Sequence, residues 1–245
     1  MIAVLSPAKT MREENFNIKT TQPLFPKQTN QLLAELKKMD VADLMDLMNI
    51  SEKLAILNHD RFNGFKKARR YPAGWLFAGD VYNGLAIDDF TEDDIAYADK
   101  HIRILSGLYG ILRLRDEISP YRLEMGTRLK TKKGNNLYQF WDDQVAKQLL
   151  KSPAADFVVN LASVEYNKVL QLKTIDIPVL DIEFKEIRQG KPIGIPLYSK
   201  IARGSMARYM VKSKANKKED LKNFDYDDYS YSEHLSNEWK YVFVR

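Results

Sequence analysis

The sequence predicts one α/β domain built on a mixed sheet, and three observations carry that expectation. Short apolar runs that read as buried strands are interleaved with segments of helical periodicity along the whole chain. No internal repeat and no Pro/Gly/Ser-rich linker divides it, so a single unit over residues 1–245 is expected. With 245 residues, 44% of them hydrophobic and 29% charged, the chain is large enough for a substantial core and unlike a disordered or fibrous sequence.

The first element is Met1–Leu5, a buried strand that Ser6-Pro7 ends because proline cannot donate to a ladder. A polar loop punctuated by Pro23 and Pro26 follows. Leucines and methionines from about Thr29 to Met48 recur at helical spacing, and Asp40 splits the run by capping a second helix. Ser51 opens a third helix, to about Phe65. The stretch from Pro72 to Leu85 reads as strand-like around Trp75–Phe77. Thr91-Glu-Asp-Asp94 is a capping box whose acids suit a helix N-terminus; the helix is expected to run through Ile95, Ala98, Ile102 and Leu105 and to stop at Ser106-Gly107.

A second helical run, Ile111–Arg115, follows Gly107 and Gly110, so about 95–118 has either the composition of a helix-hairpin-helix element or that of a helix ended by a C-cap glycine and followed by another helix. Ser119–Gly126 reads as a loop or short strand, and Asn136–Leu150 as one helix. Asp156–Leu161 is a buried strand, and Ser163 caps a short helix. Pro178–Ile187 alternates as a strand, turns at Gln189-Gly190 and returns through Ile193–Leu197. Ser199–Val211 is a basic helix and Trp239–Val244 a closing strand.

Composition removes several chemistries. The absence of cysteine excludes disulfides, thiolate nucleophiles and Cys-held zinc or iron–sulfur centres. Three histidines, His59, His101 and His234, share no ligand spacing, which argues against a His-held zinc or iron site and leaves only carboxylate-held Mg²⁺ or Ca²⁺ open; the expectation is no metal and no cofactor. No apolar run reaches the roughly 18 residues of a membrane span, the mean hydropathy is −0.42, and MIAVLSPAKT lacks the basic region of a signal peptide. A cytoplasmic protein without membrane contact, and a monomer, is the expectation.

The formal net charge of +5 hides strong sorting. Lys100–Lys133 holds nine basic residues against three acids, and Tyr198–Lys218 holds seven with no acid. Asp88–Asp99 holds six acids and no base, and Glu219–Glu238 seven acids and one lysine. Two readings follow. The basic blocks meet on one face and attract a polyanion, or each neutralises an acidic neighbour.

Four constellations bear on chemistry. Leu-x-Gly-Leu-x-Gly at 105–110, with Arg113 beyond it, either presents backbone amides to a phosphate or is a plain helix end. Lys200 and Arg203 share a helix face, with Arg208 further on. Small neighbours there suit either a close phosphate or close packing. Ser6 to Thr10, including Lys9, sits at a strand's carboxyl end, where open α/β sheets bind ligands. Polar residues mark other strand exits: Asp80 and Tyr82; Tyr121, Arg122 and Glu124; Asn160, Ser163, Glu165 and Tyr166. Glu124 and Glu165, with Lys9, are the candidate catalytic groups, as acid/base partners.

LSPAKT at 5–10, GDVYNGL at 79–85, LSGLYGILR at 105–113, PYRLEMGTRL at 120–129, LYQFWDD at 137–143, NLASVEY at 160–166 and ARGSMARY at 202–209 together resemble the YaaA family of bacterial peroxide-stress proteins. The resemblance implies a compact α/β fold of unusual topology with a positively charged cleft and a helix-hairpin-helix element. It implies protection of DNA and protein against hydrogen peroxide, in part by lowering free intracellular iron, and DNA binding. On that basis the DNA contacts are expected at Lys9, Gly107, Gly110, Arg113, Arg122 and Arg128, and at Lys200, Arg203 and Arg208, by charge and shape rather than sequence. Ser6, Asp80, Tyr82, Tyr121, Asn160, Ser163 and Tyr166 are the expected polar lining. The alternative is an enzyme acting on a nucleotide or damaged nucleobase in the same cleft. Iron sequestration by the acidic blocks is a third reading, disfavoured by the ligand set.

Overall fold

Five consecutive parallel strands form the centre of a computed structural model that describes residues 1–171 and 177–245. The strands of the main sheet are β1 (Ile2–Leu5), β2 (Ile102–Ser106), β3 (Gly110–Leu112), β4 (Val158–Leu161), β5 (Val179–Arg188), β6 (Lys191–Ile193), β7 (Ser230–Tyr231) and β8 (Lys240–Val244). Their order is β7-β8-β5-β4-β1-β2-β3, with β6 paired to β5. The neighbours from β8 to β2 are parallel, whereas β3, β6 and β7 add antiparallel edges. This is the mixed sheet expected from the interleaved pattern. β1 lies at its centre and is buried along its whole length, which its Ile-Ala-Val-Leu composition permits because both faces are covered.

The main helices are α1 (Pro26–Leu36), α2 (Val41–Met48), α3 (Glu52–Gly64), α4 (Asp80–Leu85), α5 (Glu92–His101), α6 (Leu137–Trp141), α7 (Gln144–Leu150), α8 (Val164–Asn167) and α9 (Pro196–Ser213). Capping boxes at Asp40 and Thr91 open α2 and α5 as their sequences require. Ser51 occupies the N-cap of α3 without a side-chain bond. α9 packs on β5, β4 and β1, and α5 on β1 and β2.

The predicted helix-hairpin-helix at 95–118 is a correction. α5 ends at His101, and the chain continues as β2, a turn, and β3, an antiparallel hairpin with Ile104 opposite Leu112 and Ser106 opposite Gly110. The run Ile-Arg-Ile-Leu-Ser is buried at every position, so no alternation distinguishes it from a helix. Two smaller corrections follow. Trp75 lies in a helical turn, Ala73–Leu76, between the two-residue strands Tyr71–Pro72 and Phe77–Ala78. The helix expected over 136–150 is broken at Asp142, whose φ of 45° is left-handed, into α6 and α7.

The chain steps from β1 outward to β2, then returns to the other side of β1 with β4 and proceeds through β5 to β8. The direction of winding therefore reverses between β1 and β4. In open α/β sheets a crevice forms at the carboxyl ends of the strands at such a reversal.

Candidate active site at the carboxyl ends of β1 and β4

A cavity of about 500 Å³ opens at that reversal. Its floor is tied together by backbone and hydroxyl bonds. The Ser163 amide donates to Ser6 Oγ at 2.9 Å, and the Ser6 hydroxyl donates to Ser163 Oγ at 3.3 Å. The same Ser163 oxygen caps α8 by accepting from the Tyr166 amide. Tyr82, on α4, donates its hydroxyl to the Ser6 carbonyl at 3.1 Å. Thr10–Met11 pairs with Phe77–Ala78, which brings the loop after β1 beside the start of α4. Gly79 makes the turn into α4 at φ 122°, a conformation that L side chains rarely adopt.

Residues 121–125 lie outside regular structure, and their burial alternates. Tyr121, Leu123 and Met125 are buried, while Arg122 and Glu124 between them are half-buried. This period of two delivers a cation and a carboxylate to the cavity from a segment with no regular partner strand. Glu124 is held from two sides: Lys9 Nζ is 2.7 Å from its Oε2, and an Arg122 guanidinium nitrogen is 3.1 Å from its Oε1. Arg122 Nε is buried without a hydrogen-bond partner among the described residues. Glu165 also lines the cavity, and its Oε1 accepts from the Gly126 amide at 2.8 Å.

From the other side, α9 supplies Lys200, 3.9 Å from Asp80, and Arg203. Burial lowers the pKa of Arg203, with the charge of Glu183 acting against it. Burial raises the pKa of Tyr82, Tyr121 and Tyr166, so these phenols stay protonated and act as neutral donors and apolar surface. The Tyr121 hydroxyl is 2.6 Å from Ser106 Oγ.

The structure thus brings together Ser6, Lys9, Asp80, Tyr82, Tyr121, Arg122, Glu124, Ser163, Glu165, Tyr166, Lys200 and Arg203. It does not bring in the rest of the sequence candidates. Gly107 and Gly110 lie inside the β2–β3 hairpin, not on a phosphate-binding helix. The Gly107 carbonyl accepts from the Trp141 indole at 2.9 Å, and a Cβ there would lie 2.3 Å from the Leu123 carbonyl oxygen. Arg113 is committed to buried Asp116 and to the Gln22 carbonyl, each at 2.8 Å. Arg208 forms two bonds to Asp89, at 2.7 and 2.5 Å, and one to the Ala86 carbonyl. Asn160 is turned to Asp181 at 2.7 Å. Arg128 is exposed and outside the cavity.

The 198–218 basic block divides between the two arrangements. The second half of the 198–218 block neutralises the 88–99 acids, through Arg208, Lys212 and Lys214 on Asp89 and Asp94. Only its first half reaches the cavity. The sequence reading overlooked Gly79, for which the signal was a glycine directly before a helix-opening acid at a strand exit.

A family model described as peroxide stress protein YaaA matches residues 1–235. The chain belongs to the YaaA family of peroxide stress proteins. Curated relatives named UPF0246 protein match its full length. That of Alteromonas mediterranea is 42% identical, covering 100% of this chain and 98% of its own. That of Saccharophagus degradans is 41% identical, covering 100% and 99%. That of Crocosphaera subtropica is 38% identical, covering 100% of both. A role in peroxide stress follows from membership. Among the described residues, no helix of this YaaA-family chain is long and apolar enough to cross a membrane, and no three His, Cys, Asp or Glu side chains cluster as a metal site would need.

Proposed function

We propose that this chain serves the peroxide response by acting on a single nucleotide in the cavity at β1 and β4, either free or extruded from a nucleic-acid strand. One observation carries the reading. Of the cations expected to meet nucleic acid, Lys9, Arg122, Lys200 and Arg203 converge on a cavity of about 500 Å³ that also holds the carboxylates of Glu124 and Glu165. That size falls within the range of about 300–1,000 Å³ typical of small-molecule sites, and it suits a flipped or free nucleotide rather than a duplex. Glu124, hydrogen-bonded between Lys9 and Arg122, is the acid/base group, and Lys9 is the proton donor or acceptor beside it.

A second observation favours nucleic acid as the source of that nucleotide. Arg128, Lys130, Lys132 and Lys133 are exposed and form no ion pair among the described residues. They follow directly on Gly126, which bonds Glu165 at the cavity. A backbone tracking this basic run would be gripped by charge without regard to sequence. The protection of DNA and protein and the lowering of free iron are then downstream effects of the cavity's chemistry, in a cytoplasmic monomer without cofactor.

The test is incubation of the protein with single-stranded and damaged DNA and with nucleoside monophosphates, followed by mass analysis of bases and nucleotides. A changed base or released product is expected, and Glu124→Gln is expected to lower its rate at least about 100-fold while binding persists. Unchanged turnover in Glu124→Gln, or the absence of any product together with salt-insensitive binding, overturns the reading.

A further inference from the structure

Among the described residues, Arg203 is the cation in the cavity that has no partner. Lys9 and Arg122 share Glu124, and Lys200 faces Asp80. Arg203 has no hydrogen bond or ion pair among the described residues, although it is mostly withdrawn from water. The carboxylate whose charge it senses, Glu183, is already engaged by Lys185 at 3.1 Å and Lys240 at 3.0 Å. None of its guanidinium nitrogens is fully buried, so they stay open to the cavity, where an anion can take the place of water and gain charge-assisted bonds.

The placement is enforced by the helix that carries it. Gly204 is so close to α4 that a Cβ there would lie 1.8 Å from the Val81 carbonyl oxygen, and one at Gly84 would lie 2.1 Å from the Ile201 carbonyl oxygen. The two helices thus meet backbone to backbone. That contact fixes α9 beside Asp80 and holds Lys200 and Arg203, three residues apart, at the cavity. Around them the lining carries four cations (Lys9, Arg122, Lys200, Arg203) and three carboxylates (Asp80, Glu124, Glu165), a surplus of one positive charge.

We infer that Arg203, with Lys200, forms a built subsite for the phosphate of the ligand, so that the cavity takes a phosphorylated molecule and discriminates against its unphosphorylated counterpart. The planar fork of the guanidinium presents paired donors that match a tetrahedral oxyanion, and Lys200 adds a mobile point charge one helical turn away. Carboxylates offer the same acceptor chemistry with less charge, and the experiment separates the two. The inference rests on the nucleotide reading of the cavity, but it can fail separately.

The experiment is calorimetric titration of the intact protein with inorganic phosphate, adenosine 5′-monophosphate, adenosine, acetate and a single-stranded oligonucleotide. It compares wild type, Arg203→Met, Arg203→Lys and the exposed control Lys147→Gln, each with a thermal melt. Phosphate and the monophosphate are expected to bind at one site, at least tenfold tighter than acetate and adenosine respectively. Arg203→Met is expected to weaken both at least tenfold with an unchanged or raised Tm, because it removes an unpaired charge. Arg203→Lys falls between, and Lys147→Gln behaves as wild type. Undiminished phosphate binding in Arg203→Met, acetate binding as tight as phosphate, or a fall in Tm that Arg203→Lys restores without restoring phosphate binding each overturns the subsite. Binding of the oligonucleotide without phosphate or monophosphate binding overturns the subsite and leaves the nucleotide cavity standing. Failure of every probe overturns the cavity reading itself.

Discussion

Asp94 shows how a residue can look functional in a sequence and prove structural in space. It belongs to the most acidic run in the chain, yet its carboxylate is bonded by Lys212 at 2.8 Å, by Lys214 at 2.5 Å and by the Thr91 amide at 3.1 Å. Burial pushes its pKa up, but the two lysines and the Thr91 amide outweigh that and hold it well below the ordinary carboxylate range. The folded pKa is thus depressed relative to the unfolded chain. The contribution to stability is complete above the unfolded value of about 4 and is lost as pH falls through the acid range toward the folded value. Asp94→Ala is expected to lower stability at pH 7 by about 1–2 kcal/mol, through loss of the cap and of partly exposed ion pairs, in urea unfolding. Near pH 2 the gap from wild type is expected to narrow, and a gap independent of pH would contradict the assignment. The same logic separates Arg113 and Arg208 from Arg203. The first two are legible as cations in the sequence, but their partners, Asp116 and Asp89, occupy them. No local pattern announces a partner 119 residues away.

At the scale of elements, local signals carried where local physics decides. The capping boxes at Asp40 and Thr91 open helices because side chain and backbone satisfy each other within three residues. The alternation in 179–188 gives β5 its half-buried face. The β2–β3 hairpin was not legible. A run with both faces covered has no period, and the glycines that suggested a turn between helices are required instead by packing against Leu123 and Trp141. The small residues of 202–207 had two readings, close phosphate or close packing, and Gly204 belongs to the second. Its contact with α4 makes Gly204→Ala an overpacking change, with an expected loss of about 2–3 kcal/mol. Because α9 carries Lys200 and Arg203, ligand binding at the cavity should fall with it. Gly64 is the matched contrast. It ends α3 with a negative φ, and a Cβ there would meet nothing within 4 Å. Gly64→Ala is expected to stabilise by about 0.4–1 kcal/mol without touching binding. Equal effects of the two substitutions in thermal or urea unfolding would contradict the account of the helix contact.

For the whole molecule, the sheet topology decides where chemistry can gather, and charge decides what can approach. The reversal of winding between β1 and β4 puts Ser6, Lys9 and Ser163 at one crevice, which strand exits in the sequence already suggested. The surface field is less basic than the two blocks promise, since half of one block is cancelled by acids. Two groups of cations remain for a strand: Lys200 and Arg203 in the cavity, and Arg128, Lys130, Lys132 and Lys133 outside it. At about 0.7 counterions released per neutralised phosphate of a single strand, six contacts give a slope of log Kobs against log salt of about −4. The two groups should separate by mutation. Replacing Lys130, Lys132 and Lys133 with glutamine is expected to flatten the slope by about two, while leaving binding of a nucleoside monophosphate unchanged. Arg203→Met is expected to do the reverse, weakening monophosphate binding at least tenfold while the slope falls by less than about one. Fluorescence anisotropy with a labelled oligonucleotide at several salt concentrations measures the first quantity and calorimetry the second. A triple variant that lost both together would mean that the exposed lysines and the cavity are not independent, and the division of labour between a tracking surface and a reaction pocket would have to be abandoned.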